Sequence, residues 1–514
     1  MQQEIIQFLK NKNVNVLTDD MENKLKVWRE WYEGKVDKFH NYQMYSGKKK
    51  LNMERKTLNM ASRVAQKWAD LLLNEKVEIN SDDEYTQEVL DRLLKQVNFR
   101  VRGNNLLELA YAIGGGFLVQ YWDGKKTNQK YISQEFMYPI TYDSGKLTEV
   151  AFSSEVTLKN KKYIYLETHL LDDKGFYVID NILLENKASQ DGKTMTLVEA
   201  SEDVYKENEI LPKIQTQSIE PLFQMIRPNI ANKENFNSPY GTSVYNGSTD
   251  LFKEIDLVFD SYYKEFLLGK KRIFVPDGVT MVNYDNDGKP VQVFDPNEEV
   301  FYRLTGDLEE GEIKESNMEI RTAQHDAGLQ TLLNLLSQSV GLGSDTFKWD
   351  KGNVTTATQI ISEQSDMFRT LKKHELLIED SIINMAKGLL YIEATNTTDK
   401  AIKLDSEISV AFDDSIIEDK TAKRTQAILE LGQGLISKVE YFRQIYELDD
   451  NSALEFANKM NEEIMATTII DGEEEEENAG EGGIFANKKK EEKKDPKKEG
   501  KKEPKKEEKP KDDK

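Results

Sequence analysis

Apolar positions fall at helical spacing in two consecutive stretches past the middle of the chain. Ile320, Ala323, Ala327, Leu332, Leu336 and Val340 step by three, four or five residues, which predicts a helix over 321–340 with one apolar stripe, stopped by Gly341 and Gly343. A polar loop with a bulky insert follows, from Ser344 to Gly352, and Thr355 or Thr356 is placed to cap the next helix. In that helix Ala357, Ile360, Ile361, Met367, Phe368, Leu371, Leu377, Ile378, Ile382, Met385 and Leu389 recur with no proline before Tyr391. At 1.5 Å per residue it extends roughly 50 Å. A rod of that length must bury its stripe, either in the core of its own domain or against copies of the same chain, and periodicity leaves both open.

The same spacing marks the N-terminal part. Residues 2–34 read as helical, with Thr18 as a cap, Trp28, Trp31 and Tyr32 on adjoining faces, and Gly34 as the stop. A loop with Tyr42, Tyr45, Gly47 and Lys48 to Lys50 leads to a helix near 54–74 that buries Leu58, Ala61, Val64, Ala65, Trp68, Leu71 and Leu72. A short strand at 76–79 and helices near 84–96 and 102–113 precede Gly114, Gly115 and Gly116. These glycines follow a helix and lead into a strand, the reverse of a phosphate-binding loop, and no Gly-Lys-Ser/Thr comes after them; they predict a helix C-cap.

Period-two patterns then take over. Residues 117–228 read as a β-meander turning at Asp123-Gly124, Ser144-Gly145 and Lys174-Gly175, with an exposed loop over 191–209. A helix from near Ser243 carries Leu251, Ile255, Val258, Tyr262 and Phe266 and ends at Gly269. About fifty residues of strand and turn character separate it from 321–340, so two helices bracket a small β insertion. A strand at 408–412 and helices over 419–431, 438–446 and 452–465 complete the foldable sequence. From Asp471 onward Glu runs and Lys-Glu blocks with Pro496, Pro504 and Pro510 have too little apolar content for a core, and disorder is expected there.

Composition sharpens this α+β picture. In 514 residues, 38% hydrophobic and 32% charged, there is room for two to four cores. From Glu473 onward 14 lysines nearly balance 15 acidic residues, so −21 of the net −22 belongs to the residues before the tail. An acidic body argues against a conventional basic nucleic-acid binder, yet suits a passage through which a duplex must slide without sticking; plain solubility explains it equally. Without cysteine there are no disulfides, thiolate metal sites or thiol nucleophiles. The first residues lack a secretory pattern, and no apolar run is long enough to cross a membrane, so no membrane partner is expected.

Catalytic signals are weak. His40, His169, His325 and His374 share no metal-ligand spacing, and His374-Glu375 on the long helix reads as an exposed pair. Acidic doublets at Asp19-Asp20, Asp82-Asp83, Asp172-Asp173, Asp413-Asp414 and Asp449-Asp450 suggest helix caps and turns, with a two-metal nuclease as the rival. No metal, cofactor or catalytic residue is expected. Lys270, Lys271 and Arg272 form a basic cluster at the start of the β insertion, fit for phosphates or an acidic partner, or simply solvated. Phe347, Lys348, Trp349, Asp350 and Lys351 put two aromatics and two lysines into a loop beyond the Gly341/Gly343 break, either to touch something that passes or to tuck under a helix.

Several short motifs, in order, carry a resemblance. They are Trp31-Tyr32-Glu33-Gly34; Ser238-Pro239-Tyr240-Gly241-Thr242-Ser243; Gly269-Lys270-Lys271-Arg272-Ile273-Phe274-Val275-Pro276; Thr346-Phe347-Lys348-Trp349-Asp350 with Thr355-Thr356-Ala357-Thr358; and Phe412-Asp413-Asp414-Ser415-Ile416. Together they resemble the portal proteins of tailed bacteriophages, in the branch common in phages of Gram-positive bacteria and also called minor capsid proteins, over residues 1 to about 468.

The resemblance implies a multi-domain portal fold of wing, stem, clip and crown. About twelve copies would form a ring with a central channel at one capsid vertex, a structural part of the virion assembled in the host cytoplasm. Double-stranded DNA would pass through the channel during packaging and ejection. It assigns 1–242 to the wing, 243–268 and 321–340 to the stem helices, 269–320 to the clip, 341–356 to a tunnel loop, 357–391 to a long wing helix, 392–414 to a returning wing strand, 415–468 to a helical crown and 469–514 to a charged tail. Implied partners are the packaging motor (terminase), which hydrolyses the ATP, neck and head-completion proteins, and major capsid and scaffold proteins. Leu251, Ile255, Val258, Leu332 and Leu336 would pack the stem; Lys270, Lys271 and Arg272 would meet motor or DNA at the clip; Phe347 to Lys351 would face the DNA. The alternatives are a metal-dependent nuclease of the phage head and a non-channel capsid adaptor.

Overall fold

Helix α1 (Gln2–Asn11) lays Ile5 and Leu9 into a small core, and Asn13, at φ 63°, ends it. The chain then runs extended, with the Leu17 N–H donating to the Pro139 carbonyl at 2.7 Å, before α2 (Glu22–Glu33) begins. The N-terminal pattern is therefore two helices, and Thr18 caps neither; Met21 occupies the cap position of α2 without a side-chain bond. Gly34, at φ 68°, closes α2 as its position predicts.

The structure, a computed structural model, describes the chain except residues 1, 19–20, 47–48, 75–76, 189–194, 234, 270–271, 277–281, 285–286, 289, 293–300, 305–313, 317–318, 345, 349–356, 413–419, 447, 451 and 461–514. It divides into two units, Met1–Asp419 and Lys420–Lys514.

In the first unit, α3 (Asp37–His40) leads into a β-hairpin, β1 (Asn41–Ser46) and β2 (Lys49–Glu54), where a loop was expected. Helix α4 (Met60–Leu72) follows, then β3 (Glu78–Ser81), α5 (Glu84–Gln96) and α6 (Phe99–Ile113). Gly114, at φ 101°, ends α6 as the predicted C-cap, its N–H bonded to the Ala110 carbonyl at 2.8 Å. A second reason for glycine emerges here: a Cβ on Gly114 would lie 2.4 Å from the Gly241 carbonyl oxygen, and one on Gly241 only 1.9 Å from the Gly114 oxygen. Two backbones cross in contact, which only glycine permits.

The predicted meander is two sheets. Strands β4 (Gly116–Trp122) and β5 (Thr127–Ser133) pair with a later strand, β12, in the order β12-β4-β5. Strands β6 (Met137–Asp143), β7 (Lys146–Leu158), β8 (Lys161–Leu171), β9 (Tyr177–Ala188) and β10 (Met195–Glu199) form the other in reverse order, with β11 (Lys213–Gln215) also on β9. Gly124, Gly145 and Gly175, all at positive φ, make the expected turns. The stretch expected as exposed loop holds β10 and α7 (Glu202–Glu207). Its Ala200 and Tyr205 are buried, and the Leu183 N–H donates to the Tyr205 hydroxyl at 2.8 Å. Strand β12 (Phe223–Ile226) brings Phe223 against Phe152, Tyr177 and His169 between the sheets.

Next come α8 (Thr249–Leu268), the short strands β13 (Arg272–Pro276), β14 (Val282–Tyr284), β15 (Pro290–Gln292), β16 (Phe301–Leu304) and β17 (Lys314–Ser316), and then α9 (Thr322–Ser339). The β insertion is as expected: β13 lies between β16, parallel, and β17, antiparallel, while β14 and β15 pair across the Gly288 turn. Helix α10 (Ala357–Thr397) runs 41 residues, and β18 (Ile408–Ala411) returns to pair antiparallel with β3.

One core joins Trp28, Trp31, Trp68, Tyr111, Phe252, Ile255, Leu336, Ile382 and Met385, and so answers part of the packing question: the part of α10 from 366 onward buries its stripe within its own unit. His374 is buried too, contrary to the exposed pair expected, with its ring edge-on to Trp68 and Tyr111 at centroid distances of 4.8 and 5.3 Å. Glu375 beside it is equally hidden and pairs with Lys372 at 3.0 Å.

The second unit holds α11 (Lys420–Gly432), α12 (Lys438–Tyr446) and a helical stretch over 452–460. Ala427, Ala453 and Ala457 let these helices approach around Tyr441 and Phe442.

Candidate functional site

Helices α8 and α9 run antiparallel: Ser248 and Ser339 meet at one end, Oγ to Oγ 3.0 Å, and Glu265 pairs with Arg321 at the other. The Glu265 carboxyl is held below its usual range, first by the hydrogen bond from Arg321. At the Glu265 end Gly269 allows the chain to turn out into the β insertion, since a Cβ there would sit 2.5 Å from the Glu265 carbonyl.

Five apolar residues of these two helices pack into the main core. Ile255 and Leu336 are fully buried, and Leu251, Val258 and Leu332 are half-buried against the same core. The stripe of α9 is rotated from the expected one, however. Ala323 and Ala327 are exposed, and the inward face is Leu329, Leu333, Leu336 and Val340. Steps of four, three and four follow the 3.6-residue turn more closely than the longer five-residue step did.

A second face of α8 is polar, and sequence reasoning missed it. Asp256 accepts from the Leu58 N–H at 2.9 Å and from the His40 ring at 3.1 Å. The Val36 N–H donates to His40 Nδ1, which assigns the His40 proton to Nε2. One turn on, Asp260 accepts from the Lys56 N–H at 3.2 Å and binds Lys264, which also reaches the Tyr42 hydroxyl. Both carboxylates are almost wholly buried, and they tie α8 to the chain entering and leaving the β1–β2 hairpin. The legible signal was acids four residues apart on an apolar helix, followed by a lysine four further on.

Apolar side chains stay uncovered on the same hairpin of helices. Leu257, Tyr263, Phe266, Leu267 and Leu335 are each about half exposed. Tyr263 and Phe266 lie toward the β insertion, beyond the buried Phe252, Asp256 and Asp260, so the apolar surface outruns what the described residues lay over it.

In the loop after α9, Gly341 and Gly343 take φ values of 78° and 79° as expected, and Leu342 is buried. Phe347 is half-buried against the main core, its carbonyl accepting from Gln330 at 3.3 Å, so of the two readings the tucked one holds for this ring. Lys348 is exposed. Trp349, Asp350 and Lys351, like Lys270, Lys271 and the cap positions Thr355 and Thr356, lie outside the described residues. Arg272 opens β13 opposite Ser316.

Asp19-Asp20 and Asp413-Asp414 lie outside the described residues; of the other acidic doublets, Asp450 pairs with Arg443 at 3.1 Å, and Asp82, Asp83 and Asp172 hold backbone. Asp83 caps α5 by accepting from the Thr86 N–H, and its hydrogen bonds, led by that from Lys403, bring its carboxyl down to about 2. Asp82 accepts from the Glu407 N–H, and Asp172 holds the β8–β9 turn through the N–H groups of Lys174 and Phe176. Among the described residues no three His, Asp or Glu side chains gather as a metal site, and no helix is long and apolar enough to cross a membrane.

What the fold offers is therefore packing surface, backbone-holding carboxylates and a β-tipped helical hairpin, the equipment of a structural component. The chain belongs to the phage portal protein family, SPP1 Gp6-like, whose model matches residues 18–467. It is thus a bacteriophage structural protein, a component of the virion. No curated protein matches the sequence. Among solved structures, the neck of a native GTA particle computed with C12 symmetry is 12% identical, with a TM-score of 0.36, covering 74% of this chain and 88% of the other.

Proposed function

We propose that copies of this chain close into a ring of about twelve, with α8 and α9 as its stem, and that double-stranded DNA passes through the ring during packaging and ejection. The observation that carries this is the half-exposed row Leu257, Tyr263, Phe266, Leu267 and Leu335 on a hairpin whose inward face is already satisfied. Such a surface on a two-helix projection calls for an identical neighbour.

In this reading 1–242 with 392–414 is the wing, 243–268 and 321–340 the stem, 269–320 the clip that meets the motor and neck proteins, 341–356 the tunnel loop, 357–391 the long wing helix and 415–468 the crown. Lys270, Lys271 and Arg272 serve the clip. Lys348 to Lys351 face the DNA, and Phe347 anchors that loop to the core rather than touching the duplex. The capping work of Asp82, Asp83 and Asp172 speaks against a nuclease.

Particle mass by light scattering tests the ring directly. A species of roughly twelve chain masses is expected; a monomer that persists at high concentration would overturn the proposal.

A further inference from the structure

The stretch between β12 and α8 sets a lone phenylalanine, Phe236, among Asn232, Asn235, Asn237 and Ser238. Phe236 is 83% exposed, more than any other large apolar side chain among the described residues. Its position is nevertheless fixed. The Asn237 N–H donates to the Asn235 side chain at 3.1 Å, the Ser238 N–H to the Asn235 carbonyl at 3.1 Å, and the Asn235 N–H to the Asn232 side chain at 3.3 Å. These are the turn bonds that asparagine supplies. Downstream, the Gly241 N–H donates to the buried Gln134 at 2.8 Å; upstream, the Asn229 side chain donates to the Lys373 carbonyl at 2.7 Å. A bulky ring is thus offered to the outside on a turn tied down at both ends, with little freedom left to lose on binding.

The same unit carries a hollow that suits such a ring. A cavity of about 660 Å³ opens between α2, α6, β5 and β7, lined by Leu106, Leu109, Ile132 and Ile164 with the half-exposed Phe136. Its charged groups are Arg29, which pairs with Glu135, and Arg102 and Glu155. Arg102 lies 4.6 Å over the Tyr131 ring, so it and Glu155 offer one charge of each sign. Lys233 and Glu234 precede the Phe236 turn in the sequence, again one of each sign. The cavity and the turn lie toward opposite ends of β7: Gly145 borders the Phe236 side, and Ser153 to Glu155 border the cavity. At about 3.4 Å per residue this separates them by roughly 27 Å.

We propose that Phe236 of one copy inserts into the cavity between α6 and β7 of the next. The proposal rests on the ring reading above and gives that ring a side-chain anchor outside the stem. A knob and a socket at different places on one chain make a head-to-tail contact, the kind that closes into a ring. An aromatic side chain seated in an apolar pocket is also the usual carrier of interface energy. Each copy supplies both halves, and the two pairs of opposite charges match across the contact.

The chain has no cysteine, so two thiols can be placed without background. Asn237→Cys beside the ring and Ser154→Cys at the cavity, both exposed positions, leave Phe236 in place. In the full chain a short bismaleimide should link the double variant into a ladder that runs past the dimer on a denaturing gel, whereas either single variant should stay at chain mass. Phe236→Ser should raise the concentration at which half the chains assemble by about tenfold or more in light scattering, with circular dichroism unchanged. Leu109→Ser, in the cavity, should do the same, and the two together should cost little more than either alone, since they remove one contact. Dimers without higher rungs, additive effects, or a Phe236→Ser variant that assembles as the parent does each overturn the proposal. An assembled parent that gives no ladder removes this contact and leaves the ring; a parent that stays monomeric removes both.

Discussion

His374 shows how one side chain can be wrong in the sequence and informative in the fold. Among Lys372, Lys373 and Glu375 it looks solvated, yet Trp68 and Tyr111, hundreds of residues earlier, close over it, and no local pattern announces partners so distant. Burial, with a smaller push from Lys373, lowers its pKa from 6.5 to about 4, and the Asn229 N–H donates to the unprotonated Nδ1 at 3.0 Å. The folded protein resists the proton that the unfolded chain accepts. The stabilisation is therefore complete above pH 6.5 and drains away as pH falls toward 4, by roughly 3 kcal/mol over that window. Melting temperature should fall between pH 6.5 and 4.5, and His374→Gln, which keeps an acceptor for Asn229 but no titrating ring, should flatten that slope. Glu167 answers in a lower window. Its burial alone would raise its pKa, but Lys130 and His169 outweigh this and bring it to about 2, so its contribution is lost only as pH drops from about 4.5 toward 2.

Among the elements, those announced by strong periodicity or by glycine appear close to where the sequence puts them: α4, α5, α6, the three glycine turns, α8 up to Gly269, and the strands of the β insertion. The misses have physical causes. The β1–β2 hairpin is mostly polar on its free face, so alternation does not show, and β10 with α7 is defined by tertiary pairing with β9 and by the Tyr205 hydroxyl. The candidate site was half legible. Stripes on α8 and α9 gave the core residues Ile255 and Leu336, whereas Asp256 and Asp260 acquire meaning only when His40, Lys56 and Leu58 arrive beside them.

The two kinds of apolar residue on this hairpin should part company under mutation. Leu336→Ala, at a fully buried position, should cost about 2–5 kcal/mol in denaturant unfolding. Phe266→Ser together with Leu267→Ser should leave the unfolding of the dilute chain within about 0.5 kcal/mol while lowering particle mass in light scattering.

For the whole molecule, the family fixes a structural role in the virion, and the proposed ring assigns the loop past α9 to moving DNA. Trp349→Ala should then leave circular dichroism and particle mass as in the parent but reduce DNA-filled heads in a packaging assay; heads filled normally would remove Trp349 from the channel. Net charge of −22 fits such a conduit, since a wall that repels a duplex lets it slide.

The pairing of β18 with β3 joins residues about 330 positions apart, Ile408 beside Ser81. A nascent chain emerging from the ribosome therefore carries β3 with a bare edge until nearly four-fifths of its length has been made. Closure of this long loop is slow by its topology, so the N-terminal half must wait, shielded or sparse, before it locks. Recruitment of fresh chains to an assembly would be gated by the emergence of the return strand, and products truncated before it would be poor poisons of assembly.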